Sequence, residues 1–258
     1  MGAYDNPFLP RSYIDNLATL PPREKKRLLL GDWNYADDDN SLFRSDLLDR
    51  ALCYETPAGG EKFSKFIGVD VAGKGGDLTV YSLIVDGVLV SQKVSNVQMN
   101  WDRKDERPLF RLMADELVEL AQRNGFTPKF ARHIAVEGNG IGQALVTCLK
   151  ERGWQITEYI ATHKSRSENY YQLMLDMDAG EVKILNSLVG LDELRKELSA
   201  HSYEMTNQEP SVVKKEKIKQ AIGCSPDRAD SLAIAGYVRH FIENPQLDPK
   251  RNRARLAW

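Results

Sequence analysis

Between Phe66 and Val90 the apolar residues come in short, dense runs broken by turn residues. Phe66, Ile67, Val69 and Val71 make the first run, rich in β-branched residues and bounded by glycines, which predicts a buried strand. Gly73, Gly75 and Gly76 predict a tight turn, and LTVYSLIVDGVLV predicts two further strands joined at Asp86-Gly87. Residues 62–95 therefore read as an antiparallel three-stranded meander. The period then lengthens: Leu109, Leu112, Met113, Leu117, Leu120 and Ala121 recur at helical spacing, with Gly125 as the stop. His133 to Val136 reads as a short buried strand that ends in Glu137. Beyond it the pattern predicts a helix over 143–152, a strand over 154–159, a helix over 167–178, a strand over 182–185, a helix over 191–200 and a hairpin over 202–215. Residues 215–242 form two helices separated by Gly223 and Pro226. This order predicts an α/β fold, a mixed sheet with an antiparallel meander and parallel strands, flanked by helices.

The first 60 residues pattern differently. Asn6-Pro7, Leu9-Pro10 and Pro21-Pro22 divide them, short helices are predicted over 10–17, 22–31 and 45–52, and Asp37, Asp38 and Asp39 read as a solvated acidic loop. That is too little apolar sequence for an independent core, so residues 1–60 are expected to be an arm or linker. Residues 61–244 are expected to be the main domain, and 245–258, with Lys250, Arg251, Arg253 and Arg255, a basic tail.

Charge narrows the field. The 258 residues carry a formal net charge of −2 and a pI near 6.1, so any nucleic-acid surface must be a local patch. Cys53, Cys148 and Cys224 are far apart and no CxxC occurs, which argues against a disulfide framework or a thiolate zinc site and fits a reducing cytosolic compartment. No apolar run approaches 18 residues and no signal peptide is present, so no membrane association is expected.

Four carboxylates stand out by context. Asp70 lies inside the first buried strand, where a carboxylate is costly unless it is paired or holds a metal. Glu137 closes a later strand in AVEGNG. Asp227 and Asp230, in SPDRADSLAIA, share one face at the start of the last long helix, with Ser225 expected as N-cap and Pro226 in the first turn. Acids at a helix start also help the helix, which is the structural account of Asp227. Carboxylates converging from two strand ends and a helix start suit a hard divalent cation, Mg²⁺ or Mn²⁺. Two such ions roughly 4 Å apart activate a water and stabilise the leaving oxygen of a phosphodiester. Lys214, Lys215, Lys217 and Lys219 lead into this helix with only Glu216 opposing, and read either as a solvated face or as a clamp on DNA phosphates. Lys164 and Arg166, in HKSRS, form a second candidate clamp, and Lys74 another phosphate contact. The four histidines are scattered and read as surface or structural groups; Trp154, Tyr170 and Tyr171 read as core or cleft wall.

GVDVAGKGGDLTV, AVEGNGIG and KEKIKQAIGCSPDRADSLAIA together resemble the three motifs of the nuclease domain of phage large terminase subunits, a ribonuclease H-like fold related to Holliday-junction resolvases. YIDNLATLPPREKKRLLLGDW is similar to the segment that leaves the terminase ATPase domain and enters the nuclease. The resemblance implies an endonuclease, dependent on two Mg²⁺ or Mn²⁺ ions, that cuts double-stranded viral DNA during genome packaging in the cytoplasm of the infected bacterial host. It carries Asp70, Glu137 and Asp230 onto the metal-binding acids, with Asp227 matching an additional acid of the resolvase pattern. The implied partners are double-stranded DNA, the terminase ATPase domain, the small terminase subunit and the portal. The sequence has no G-x-x-x-x-G-K-[ST], so the expectation is a domain of a longer protein that cuts DNA without translocating it. The competing readings are a junction-resolvase-like nuclease, a non-catalytic DNA-binding or docking module of the packaging motor, and an actin-like ATPase, which would need a second phosphate loop and an adenosine motif that the sequence lacks.

Overall fold

The computed structural model of the chain describes residues 9–10, 13, 40–57, 65–72, 77–97, 108–206 and 209–243. The helices with defined bounds are α1 (Ser45–Arg50), α2 (Leu109–Arg123), α3 (Ile141–Glu151), α4 (His163–Asp178), α5 (Leu191–Ser199), α6 (Lys215–Ile222) and α7 (Asp227–Glu243). The strands are β1 (Leu52–Cys53), β2 (Lys65–Asp70), β3 (Val80–Val85), β4 (Val88–Val94), β5 (Ile134–Glu137), β6 (Thr157–Tyr159), β7 (Lys183–Leu185), β8 (Tyr203–Thr206) and β9 (Glu209–Val212). The helices predicted over 10–17 and 22–31, the acidic loop, the glycine turn over 73–76 and the basic tail lie outside the described residues.

Seven strands form one sheet in the order β1-β7-β4-β3-β2-β5-β6, and β8 and β9 form a separate antiparallel hairpin. The β2-β3-β4 meander is antiparallel, while β5 pairs with β2, β6 with β5, and β7 with β4 and β1, all in parallel. This is the mixed sheet expected from the pattern. One helix starts earlier than expected: α4 begins at His163 because Thr162 and Ser165 make a reciprocal capping box.

The larger of the two compact units of the chain begins at Leu42, ahead of the boundary expected at residue 60. The reason is packing. Phe43, Leu47 and Leu48 are buried in the same core as the sheet, and β1 pairs Leu52 with Ile184. A segment too poor in apolar residues for its own core covers the edge of a larger one.

Alternation along β2 and β5 divides the core into two layers. Ile67, Val69, Ile134 and Val136 face α2 and α3, packing with Leu112, Leu117, Leu145 and Leu149. Phe66 and Ala135 face the other side, with Tyr170 and Leu173 of α4, Leu194 and Leu198 of α5, and Leu232, Ile234 and Val238 of α7. Gly68, on this second face, lets α7 lie directly on β2: a Cβ there would sit 2.2 Å from Ala235 N and from Ser231 O. The contact is reinforced across β3 and β4, where the Ser82 and Ser231 hydroxyls meet at 2.7 Å and Gln92 donates to Ser82 Oγ and to the Arg228 carbonyl.

Gly68→Ala should therefore force α7 off the sheet and destabilise the fold by about 3 kcal/mol, read from urea denaturation. Gly236→Ala, whose added methyl meets only Leu173 Cδ1 at 3.4 Å, should be neutral or stabilise by up to about 1 kcal/mol through helix propensity.

Candidate metal centre

The acids are delivered by these elements. Val69 of β2 pairs with Val136 of β5 in parallel, so Asp70 and Glu137 end neighbouring strands at the same level. Alternation turns both toward the face that α7 covers, with Phe66 and Gly68 on one strand and Ala135 on the other. The first turn of α7 then adds Asp227 and Asp230. One carboxylate oxygen from each of Asp70, Asp227 and Asp230 lies within 4.8 Å of the other two, although these residues are only 3%, 3% and 8% exposed. Glu137 stands beside this trio and lines an open cleft with Asp230, Lys215, Arg166 and Asn169. Its backbone is fixed by Gly142, where a Cβ would fall 1.9 Å from the Glu137 carbonyl oxygen. Asn139 locks the same loop by exchanging two 2.9 Å bonds with the Ala161 backbone.

The start of α7 is not capped as the sequence predicts. Its first backbone bond runs from Asp230 N–H to the Pro226 carbonyl, so Pro226, which has no side-chain acceptor, holds the capping position. Ser225 Oγ is buried and makes no hydrogen bond among the described residues. Glu197 of α5 substitutes for the cap, accepting the Ala229 N–H at 2.9 Å. Burial pushes the Glu197 carboxyl up to about 7, against the pull of that amide.

Two cations enter the acid cluster. Lys215 Nζ lies 2.7 Å from Asp230 Oδ2, 3.5 Å from Asp227 Oδ1 and 3.8 Å from Asp70 Oδ2. Arg166 Nε donates to Asp230 Oδ1 at 3.3 Å, and the Tyr170 hydroxyl donates to the same oxygen at 2.6 Å. Asp227 Oδ2 accepts the Leu78 N–H at 2.6 Å. Burial alone would raise the Asp230 carboxyl, but Lys215, Arg166 and Tyr170 outweigh it and hold the group far below the usual carboxylate range. Asp70 goes the other way. Burial raises it well above its ordinary value, Lys215 opposes this, and Asp230 and Glu137 add to it.

Four carboxylates against one ammonium and one guanidinium leave this pocket with excess negative charge. All donors are hard oxygens, and burial and the neighbouring acids Asp230 and Glu137 raise the Asp70 carboxyl against the pull of Lys215. A divalent cation fits that donor set and that charge deficit. Asp70, Asp227 and Asp230 would hold it, with Glu137 at the cleft side.

Of the predicted phosphate contacts, Lys215 and Arg166 thus lie inside the acid cluster. Lys214 is exposed, Lys217 pairs with Glu204 at 2.9 Å, and Lys219 pairs with Asp77, so the row of lysines is opposed by more than Glu216. Lys164 is 84% exposed and 3.8 Å from Glu168. Lys74 lies outside the described residues. Tyr170, read from the sequence as core or cleft wall, lines the cleft, whereas sequence reasoning missed His201 and Glu197 as parts of the site. His201 is fully buried, its Nδ1 bonded to the Glu197 carbonyl at 2.8 Å and its Nε2 3.2 Å from Arg166 Nη2. One signal was available: Arg166 and Tyr170 are four apart on one helix, hence on one face, and both reach Asp230.

No protein-family model matches the sequence, and no curated protein matches it. Solved structures are similar in fold. The nuclease domain of the large terminase subunit gp2 of bacterial virus Sf6, with manganese and β-thujaplicinol, is 17% identical over 76% of this chain and 98% of that one, with a TM-score of 0.58. The large terminase nuclease from thermophilic phage G20c with bound cobalt is 18% identical over 78% and 98%, with a TM-score of 0.52. The large terminase of another thermophilic bacteriophage, in complex with ATP-γ-S, is 12% identical over 91% of this chain and 54% of that one, with a TM-score of 0.50. The ribonuclease H-like fold expected from the motifs is therefore present.

The geometry gives two expectations. Lys215→Met should leave the buried carboxylates short of a cation, lowering stability in EDTA by about 3 kcal/mol. Mn²⁺ should restore more stability to this variant than to the wild type, because no ammonium competes for Asp230; thermal unfolding with and without Mn²⁺ reads both. His201 has the opposite pH sign from a salt-bridged histidine. Burial first, then the Arg166 charge, lowers it to about 4 from an ordinary 6.5. Its contribution is thus complete above pH 6.5 and is lost as pH falls from 6.5 to 4, a change of about 3 kcal/mol. The stability difference between wild type and His201→Gln, measured in urea at about pH 7.5 and about pH 4.5, should shrink accordingly.

Proposed function

We propose that this chain is a metal-dependent endonuclease that hydrolyses double-stranded viral DNA during phage genome packaging, the nuclease part of a large terminase. The observation that carries the reading is the convergence of Asp70, Asp227 and Asp230 on one buried point, with Glu137 beside them on the wall of an open cleft that Asp230 also lines. The fold likeness supports it: the Sf6 and G20c domains share the architecture and were solved with manganese and with cobalt. The large terminase solved with ATP-γ-S, of which a chain like this one spans about half, supports a place beside an ATPase domain. The small terminase subunit and the portal are the further partners of this reading, and the host cytoplasm its setting. Among the described residues no helix is long and apolar enough to cross a membrane.

Two Mg²⁺ or Mn²⁺ ions would supply a polarised water and neutralise charge on the phosphorane-like transition state. Asp70, Glu137 and Asp230 would hold them, with Asp227 assisting. The chain's own groups do the rest. The narrow seat between β2, β5 and α7 keeps the acids from swinging apart. Glu137, at the cleft side, is placed to accept a proton from the attacking water. Lys215, once released from Asp230, would be the cation available to a phosphate oxygen in the cleft. The attack is direct, water oxygen to phosphorus with loss of the bridging oxygen, and needs no covalent intermediate.

Nicking and linearisation of supercoiled plasmid tests the reading. Wild type should cut in Mn²⁺ or Mg²⁺ and not in EDTA, and Asp70→Asn should lose at least a thousandfold in rate while remaining folded. No cutting in either metal by a folded, DNA-binding wild type would favour the non-catalytic docking module.

A further inference from the structure

We propose that Arg166 is a positioning residue for Asp230, not a contact to DNA, and that His201 holds it in that role. This rests on the reading of the carboxylates as a metal centre. The two oxygens of Asp230 are treated differently. Oδ1 receives the Tyr170 hydroxyl at 2.6 Å and Arg166 Nε at 3.3 Å. Oδ2 meets Lys215, whose ammonium also reaches Asp70 and Asp227. The carboxylate is therefore pinned by one oxygen and presents the other to the point where the acids converge.

Arg166 is itself immobilised. Each of its three guanidinium nitrogens has a fixed acceptor: Nε has Asp230, Nη1 the Val213 carbonyl at 3.3 Å, and Nη2 His201 Nε2 at 3.2 Å. Its charged carbon lies 5.0 Å from the centre of the Tyr170 ring, and its side chain is 14% exposed, against 84% for Lys164 two residues earlier. A planar fork committed in three directions cannot swing to follow a phosphate. Val213 lies two residues before Lys215, so the same guanidinium also fixes where the chain leaves the β8-β9 hairpin to place its second cation.

The choice of histidine follows from charge. Nδ1–H donates to the Glu197 carbonyl, which leaves Nε2 as an acceptor on a neutral ring. A carboxylate in that place would compete with Asp230 for Arg166 and add charge to a pocket already rich in it. A neutral acceptor orients the guanidinium without drawing it away. Glu197 serves twice: its carbonyl sets the imidazole, and its carboxylate holds the Ala229 amide one residue before Asp230. Groups that orient metal ligands in this way change metal affinity or activity by about 10- to 100-fold when removed.

The test titrates Mn²⁺ calorimetrically without DNA and separately measures binding of a short labelled duplex without metal. Arg166→Lys keeps the charge and loses the fork. It should weaken Mn²⁺ binding at least tenfold and leave duplex affinity unchanged. Mn²⁺ affinity within twofold of wild type overturns the proposal, and so does a loss confined to duplex affinity, which would make Arg166 a phosphate contact. Should Arg166→Lys fail to fold, the histidine decides. His201→Gln carries an amide to the Nε2 position, whereas His201→Asn reaches only the Nδ1 position. The proposal requires the Asn variant to lose more Mn²⁺ affinity than the Gln variant, and equal affinities overturn it. A wild type that binds no Mn²⁺ removes the metal centre and this proposal together. A wild type that binds Mn²⁺ and cuts, beside an unchanged Arg166→Lys, removes this proposal alone.

Discussion

The contact of α7 with β2 at Gly68 is backbone against backbone, and the site is a consequence of it. With no side chain between them, the helix lies on β2 closely enough for carboxylates at its first turn to meet one at the strand's end. Any larger residue at position 68 would separate these groups by the thickness of a methyl. The small residues of α7, Ala229, Ser231, Ala233 and Ala235, serve the same end from the other side. They explain how a helix with two buried acids still buries its face.

Such closeness makes an electrostatic problem, and the structure answers it with two unlike cations. Arg166 is fully committed and stays; Lys215 touches three carboxylates, none in a fixed fork, and is more open to solvent. A permanent counterion keeps the acids in place, and an exchangeable one occupies the space in which a harder, doubly charged ion fits better. Asp70 shows the same tension, since burial and its acidic neighbours raise its carboxyl while Lys215 opposes them.

Much of this was readable in the chain. The order of apolar runs specified the mixed sheet, because strand and helix periods differ and each run was bounded by glycine or proline. Asp70, Glu137 and Asp230 were readable because each stands in an apolar, glycine-rich or small-residue context where a charge is out of place; Asp227 was readable as an acid at the helix start, three residues before Asp230. Their supporting groups were not. Lys215 and Arg166 look like any surface cations until the fold brings them to Asp230, which lies 15 and 64 residues further along the chain. His201 and Glu197 sit in segments with no unusual pattern. The cap of α7 was misread because a serine before a proline is a good local cap, whereas a carboxylate from another helix leaves no local trace. For the same reason Phe43 and β1 looked like parts of an arm: their partners, Tyr170 and Ile184, come more than 100 residues later.

The borrowed cap also bears on when the protein acquires its chemistry. The amide end of α7 is completed by a residue of α5, and α7 rests on a strand made roughly 160 residues earlier. A ribosome releasing the chain from its first residue would expose β2 and β5, with Asp70 and Glu137, long before the helix that finishes the centre. Half-made chains would then carry two of the four acids and no means of gathering a metal between them. Contacts so distant in sequence form late and together. The carboxylates would therefore come together in one step, once α7 is made, and a shorter translation product would carry only part of the set.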